Sequence, residues 1–287
     1  MTGPGFGMRT PGALESLVEA KPRKGRRQHG SIWAWVVFVA GFLYFFLPLV
    51  ATFEFSLRAK PFLAAYTNSL KDPQFFSSLA FSFVIGVLTI VVSIVLIVPT
   101  AYWVRLRVPR LRPYVEFITL LPFVVPPVIL VFGLIRTYGH PPLPLTNTTL
   151  GGHALLVAAY VVLSLPYMYR AVDTGLRAID VRSLTEAAQS LGAGWLTILW
   201  RVIFPNLRVA LLSGAFLTLA IVIGEYTIAN FLAQPAFGPY LSLLGNNRAY
   251  EPAAVSLISF GLTWTAMGMI SFLGRGARGK VQLVGTH

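Results

Sequence analysis

The sequence predicts an all-α membrane protein of six transmembrane helices with both termini on the cytoplasmic side, and three observations carry that prediction. The chain is 55% apolar and only 11% charged, whereas a soluble domain carries roughly a quarter charged residues. Its apolar residues gather into six runs, each near the ~20 residues a helix needs to cross a bilayer. Its basic residues fall unevenly on alternate loops, 18 of the 23 Lys and Arg lying on one side.

The runs are Ile32–Phe55, Phe75–Val104, Pro113–Ile135, His153–Met168, Val209–Leu232 and Ala253–Leu273. The fourth is the shortest and extends at either end. They are apolar all round, which favours helices over the alternating pattern of transmembrane strands. The domain division this predicts is a basic arm (1–30), a first transmembrane helix (31–56), a membrane core of five helices (75–273) containing the loop 176–208, and a tail (274–287). The arm ends in Lys21, Arg23, Lys24, Arg26 and Arg27. That cluster reads as a topology anchor, with anionic lipid headgroups as the alternative ligand. The apolar stretch after it exceeds the ~7–15 residues of a cleavable signal.

Orientation follows from the loops. Arg105, Arg107, Arg110 and Arg112 follow the second run, and Arg170, Arg177, Arg182, Arg201 and Arg208 follow the fourth. The opposite side has only Arg58, Lys60, Lys71, Arg136 and Arg248. Basic excess marks the cytoplasmic face, so an even number of spans is required. This distribution assigns the net charge of +13 to topology rather than to a nucleic-acid partner. The absence of cysteine excludes disulfides, thiolate metal sites and cysteine nucleophiles. His29, His140, His153 and His287 show no metal-ligand spacing. Trp33, Trp35 and Trp103 near the span ends fit interfacial anchoring.

Pro48, Pro99, Pro122, Pro126, Pro127 and Pro166 lie inside the runs. Each removes a backbone donor and crowds the preceding turn, so kinks or breaks are expected. The cluster Pro122, Pro126, Pro127 is the densest, and broken helices often line the path in transporters.

The loop after the fourth run is the most informative. Ser183 and Glu186 have the spacing of a capping box. Leu184, Ala187, Ala188 and Leu191 fall at i, i+3, i+4 and i+7, giving one apolar face. Gly192 supplies the left-handed residue that ends a helix. A helix of about two turns is too short to stand alone. From periodicity it either packs on its own membrane domain or inserts into a groove on a partner.

The same loop resembles the EAA loop of binding-protein-dependent ABC importer permeases. Glu186, Ala187, Ala188, Gly192 and Pro205 match that pattern, while Val202 and Phe204 stand where it has Ile and Leu. The resemblance implies a MetI-like permease fold. Two permeases would pair around a path, as a heterodimer rather than a homodimer. Each loop, here with Ser183, Glu186, Ala187, Ala188, Gly192 and Pro205, would form a coupling helix seated on one of two ATPase subunits. It further implies that ATP and Mg belong to those subunits, with no cofactor bound by this chain. A soluble or lipid-anchored binding protein would deliver the solute, at a bacterial or archaeal cytoplasmic membrane. The Gly274–Val281 stretch imitates a phosphate-binding loop but has Val281 where a Mg-binding hydroxyl is needed.

Glu225 lies inside the fifth run, where an ionised carboxylate costs roughly 2.5–3.5 kcal/mol unless it faces protein or water. It is expected to line the path with Pro126, Pro127 and Tyr226, or else to make a structural hydrogen bond. Arg170 and Asp173 are expected to pair at i, i+3. Glu54 and Glu116 read as boundary residues. A single intramembrane acid suits a cationic polyamine, and Leu121–Pro127 and Gly224–Asn230 resemble the branch serving polyamines, phosphonates, thiamine and ferric iron. An ion-gradient-driven secondary transporter and a non-transporting scaffold are the alternative readings.

Overall fold

The computed structural model describes residues 32–275. The basic arm (1–30) and the phosphate-loop imitation after Arg275 lie outside the described residues, within which all regular structure is helical. Helix α1 (Ile32–Ser56) continues through Pro48. The chain divides into two compact units, residues 1–50 and 51–287. In the first, Phe42 and Phe46, one turn apart, stack at 4.2 Å.

The second unit continues with α2 (Ala64–Lys71), α3 (Pro73–Leu106), α4 (Arg112–Val124), α5 (Pro127–Tyr138), α6 (Thr149–Arg177) and α7 (Val181–Ser190). It ends with α8 (Trp195–Ile198), α9 (Arg208–Gly224), α10 (Thr227–Phe231), α11 (Phe237–Asn247) and α12 (Glu251–Arg275). Helix α3 starts where the Asp72 carboxylate accepts the Gln74 amide at 2.9 Å, with Pro73 opening the first turn, an arrangement that satisfies or removes donors lacking an intrahelical partner. Helix α6 starts at Thr148, whose hydroxyl accepts the Gly151 amide, and runs past the predicted end at Met168. The extension is amphipathic: it buries Tyr169, Val172, Asp173 and Leu176, and its charges hide it from a hydropathy reading.

Helices α3, α6 and α9 form the centre of this unit. Small residues let them approach: a Cβ on Gly175 would sit 2.6 Å from the Ala210 Cβ, and one on Gly214 would sit 2.6 Å from the Met168 sulfur. Close backbone approach is what holds helices together where lipid removes the hydrophobic drive. Ser93 and Ser164 add a buried hydrogen bond of 3.1 Å between α3 and α6.

The third and fifth predicted runs are not single straight helices. Within the third run, Pro109–Val124 and Pro127–Tyr138 meet at 97°, while Trp195–Asn206 and Arg208–Gly224 meet at 77° at Leu207, just ahead of the fifth run. At the first break Val125 (ψ 114°) and Pro126 (ψ 141°) are both extended. Each precedes a proline, whose ring excludes the helical conformation from the residue before it. The fifth run also ends early, at Gly224, with Glu225 extended. Among the described residues, three helices are long and apolar enough to cross a membrane, or up to five if each bent pair makes one crossing. Segment 225–247 then folds back on the bundle: the Phe237 amide donates to the Ser82 hydroxyl at 2.8 Å and the Tyr240 hydroxyl to Asp72 at 2.9 Å.

Candidate coupling site

The loop helix α7 is fixed at both ends, although not by the predicted capping box. Its N-cap is Asp180, whose carboxylate accepts the Ser183 amide at 3.1 Å and the Ser183 hydroxyl at 2.7 Å. These two donors, the hydroxyl first, hold the Asp180 carboxyl below its ordinary range. Ser183 therefore lies inside the helix, and its hydroxyl donates a hydrogen bond to the cap. Glu186 turns to Arg182, one turn back, at 2.8 Å. With side chains 82% and 61% exposed, that pair adds little to stability. The helix is 10 residues long, Val181–Ser190, and so longer at its start than the two turns expected.

At the other end Gly192 has φ +80°, the left-handed conformation that costs a Cβ-bearing residue about 1–2 kcal/mol. Its amide donates to the Gln189 carbonyl at 2.9 Å and the Ala193 amide to Ala188 at 3.0 Å. Together these are the paired closing bonds of a Schellman motif.

The predicted apolar face is divided between two directions. Val181 and Thr185 are buried and Leu184 and Ala188 half-buried, so the inward face follows i, i+4, i+7. Thr185 reaches the core because both its oxygen functions are used: it donates to the Val181 carbonyl at 2.7 Å and lies 3.1 Å from the Tyr102 hydroxyl of α3. Beneath lies a core containing Ile97, Tyr102, Met168, Leu176, Ile203 and Leu207. Ser183, Glu186, Ala187 and Ser190 point away and are exposed, and Leu191 is 87% exposed. The helix thus packs on its own domain and still presents a second face of small residues around one carboxylate.

Downstream, Leu199–Ile203 widens to a π-helical turn, followed by a single turn Phe204–Asn206 containing Pro205. Proline lacks the amide that would bond upstream, and the chain bends just beyond it. Trp200 and Phe204 pack at 5.2 Å on this segment.

The expected Arg170–Asp173 pair is absent. Arg170 is exposed, while Asp173, with its side chain 9% exposed, takes Arg177 at 2.6 Å, Arg112 at 3.1 Å and Arg105 at 3.9 Å. Arg177, four residues after Asp173, turns its guanidinium onto the carboxylate, whereas Arg170, three residues before it, stays exposed. Glu116 is no isolated boundary residue either: it accepts from Arg112 at 2.9 Å. Glu54 pairs with Arg58 at 3.0 Å.

The residues expected to line the path lie in a different part of the molecule. Helix α5, opening with Pro127, packs on α10, where Phe132 and Phe231 meet at 4.9 Å. The two helix breaks are thereby brought into one core, with Ile85, Val131, Tyr160, Val222 and Ile228. Glu225 sits between α9 and α10. Its carboxylate accepts the amides of Ile228 at 2.9 Å and Ala229 at 3.2 Å, and the Tyr160 hydroxyl at 3.1 Å. It ties off the backbone donors freed by the break, which lipid could not satisfy. Tyr226 beside it is 42% exposed. Tyr160 carried no sequence signal; the Asp180-x-x-Ser183 cap did.

A bundle of broken and unbroken apolar helices, carrying a docked loop helix with a free outer face, has the architecture of a transport permease. Residues 93–276 match the model of the family described as binding-protein-dependent transport system inner membrane component, and the chain belongs to that family. It carries an ABC importer permease domain of an inner-membrane transport system, a transport component rather than an enzyme, and it spans 65%, 57% and 41% of the length of the first curated relatives it matches. It is 32% identical over 148 residues to the molybdenum transport system permease protein ModB of Azotobacter vinelandii, covering 49% of this chain and 65% of ModB. Putrescine transport system permease protein PotI of Escherichia coli is 24% identical over 255 residues, 85% of this chain and 89% of PotI. The fold is similar to that of a bacterial ABC transporter involved in import of the acidic polysaccharide alginate, with TM-score 0.57 and 20% identity over 95% of this chain and all (100%) of the other.

Proposed function

We propose that the outer face of α7 is the seat of an ATPase subunit, and that Ser183, Glu186, Ala187, Ala188, Gly192 and Pro205 form the coupling loop. The observation that carries this reading is the division of the helix into two faces. One face is bolted to the core through Val181 and Thr185, and the other stays exposed at Glu186, Ala187 and Leu191. A short helix held at both ends transmits displacement instead of absorbing it. Ala188 and Pro205 act from within, Ala188 as part of the docked face and Pro205 at the bend that joins the loop to α9.

In the working assembly this chain pairs with a second permease, a related sequence rather than a copy. Two ATPase subunits hold ATP and Mg, and a soluble or lipid-anchored binding protein brings the solute from outside. The chain crosses the membrane six times, both termini inside: α12, 25 residues long, adds a sixth crossing to the five above, since about 1.5 Å per residue takes it across. The path runs by the paired breaks at Pro126–Pro127 and Glu225–Tyr226.

The solute is a small polar molecule. Likeness to PotI over most of the chain supports a polyamine. Glu225 adds no weight to that choice, because its carboxylate is already taken up by two backbone amides and Tyr160. Likeness to ModB supports an oxyanion as the second reading. Proteoliposomes holding the complete complex, its binding protein and enclosed ATP test both. Labelled putrescine is expected to enter only with ATP, and molybdate to enter instead would establish the second reading. Uptake without ATP that collapses with an ionophore would replace the whole proposal with a secondary transporter.

A further inference from the structure

We propose that Asp173 is a positioning residue of the transport cycle: it is the hub on which α3, α4 and α6 are locked, and Arg105 closes onto it when α7 is pulled. This rests on the coupling role proposed for α7.

The geometry starts at the loop. Tyr102 on α3 meets Thr185 of α7 at 3.1 Å in a buried contact, so the end of α3 follows the loop helix. One turn further along α3 is Arg105. Its guanidinium makes no hydrogen bond among the described residues, and its buried Nη1 lacks a hydrogen-bond partner. That atom stands 3.9 Å from the Asp173 carboxylate, about 1 Å beyond a charged hydrogen bond. The other cations are already in place. Arg177, four residues before α7 begins, binds Asp173 at 2.6 Å, and Arg112, the first residue of α4, binds it at 3.1 Å. Glu116 accepts from Arg112 at 2.9 Å and lies 3.6 Å from Arg177.

Three guanidinium groups thus face two carboxylates, and only the one on the element tied to α7 is left without a hydrogen bond. A buried unpaired donor is costly, so this arrangement is one bond short of its minimum. A shift of α3 by about 1 Å towards α6 completes it. The lock then connects α7 to α4, whose far end is the break at Pro126. An exposed surface ion pair would have no such leverage, but Asp173 is nearly enclosed.

The test uses the complex copurified with its own ATPase subunits, in lipid nanodiscs, with ATP hydrolysis measured with and without the binding protein. Arg105→Met removes the unpaired donor and keeps the length of the side chain. Its melting temperature is expected to equal or exceed that of the wild type, while stimulated hydrolysis falls about tenfold, inside the roughly 5–150-fold range of coupling effects. Arg105→Lys, which retains the charge, is expected to recover most of the rate, and the exposed control Arg170→Gln to keep all of it. Full stimulation in Arg105→Met, or an equal loss in Arg170→Gln, overturns the proposal. A wild-type complex that carries no ATPase at all would instead defeat the coupling role of α7, and this inference with it.

Discussion

Replacing Ala187 with arginine is expected to abolish uptake while leaving the membrane domain folded. Ala187 is exposed at the middle of the outer face of α7, one turn from Ser183 and Leu191, and makes none of the contacts that hold the helix to its core. Arginine fits there without strain in the isolated chain. In the assembled transporter it would push a long cation between two surfaces packed across small residues. Central interface positions cost about 2 kcal/mol or more when disrupted, which is ~30-fold in affinity. Copurification should therefore yield the permease at normal level and normal melting temperature with ATPase largely lost. Thr185→Arg is the informative opposite: it buries a charge in the core under α7 and should lower expression of the permease itself.

The second large effect is expected at Glu225. Glu225→Leu leaves the amides of Ile228 and Ala229 and the hydroxyl of Tyr160, a residue 1% exposed, without their acceptor. Each buried donor left unsatisfied costs about 1–3 kcal/mol, so the loss should reach about 3 kcal/mol or more, a large part of a typical total stability. Glu225→Gln keeps one carbonyl oxygen towards the same donors and should lose far less. The expected record is a deep fall in melting temperature and membrane yield for Leu, a small one for Gln, and rescue of neither by added solute. Wild-type stability in Glu225→Leu would mean that the bonds across the break do not hold segment 225–247.

The helical membrane fold was legible because it rests on quantities a sequence displays without folding: run length, all-round apolarity and the loops in which arginines fall. The breaks were legible at Pro126–Pro127, since proline acts on its immediate neighbour. The break at Glu225 was not, because there the chain turns on a tertiary contact with Tyr160, 65 positions away. Around α7 the existence of a helix and its glycine stop were readable from local chemistry. Its rotation was not. Counting apolar residues put Leu191 on the buried face and left Thr185 out, whereas the hydroxyl of Tyr102 makes Thr185 a buried residue and leaves Leu191 in the open. The hub at Asp173 escaped for the same reason. Sequence proximity offered Arg170, but the helix face and the arrival of α3 and α4 supply Arg177, Arg105 and Arg112 instead.

The chain contains no cysteine, so a single one introduced at Leu191, Ala187 or Thr185 reports on one place only. Thiol cross-linking from each position to cysteines in the groove of the ATPase subunit, in the assembled complex, measures which face of α7 meets that subunit. Efficient cross-links are expected from positions 191 and 187, and none from 185. Cross-links from 185 alone, or from no position while ATP-driven uptake persists, would contradict the coupling role proposed for α7.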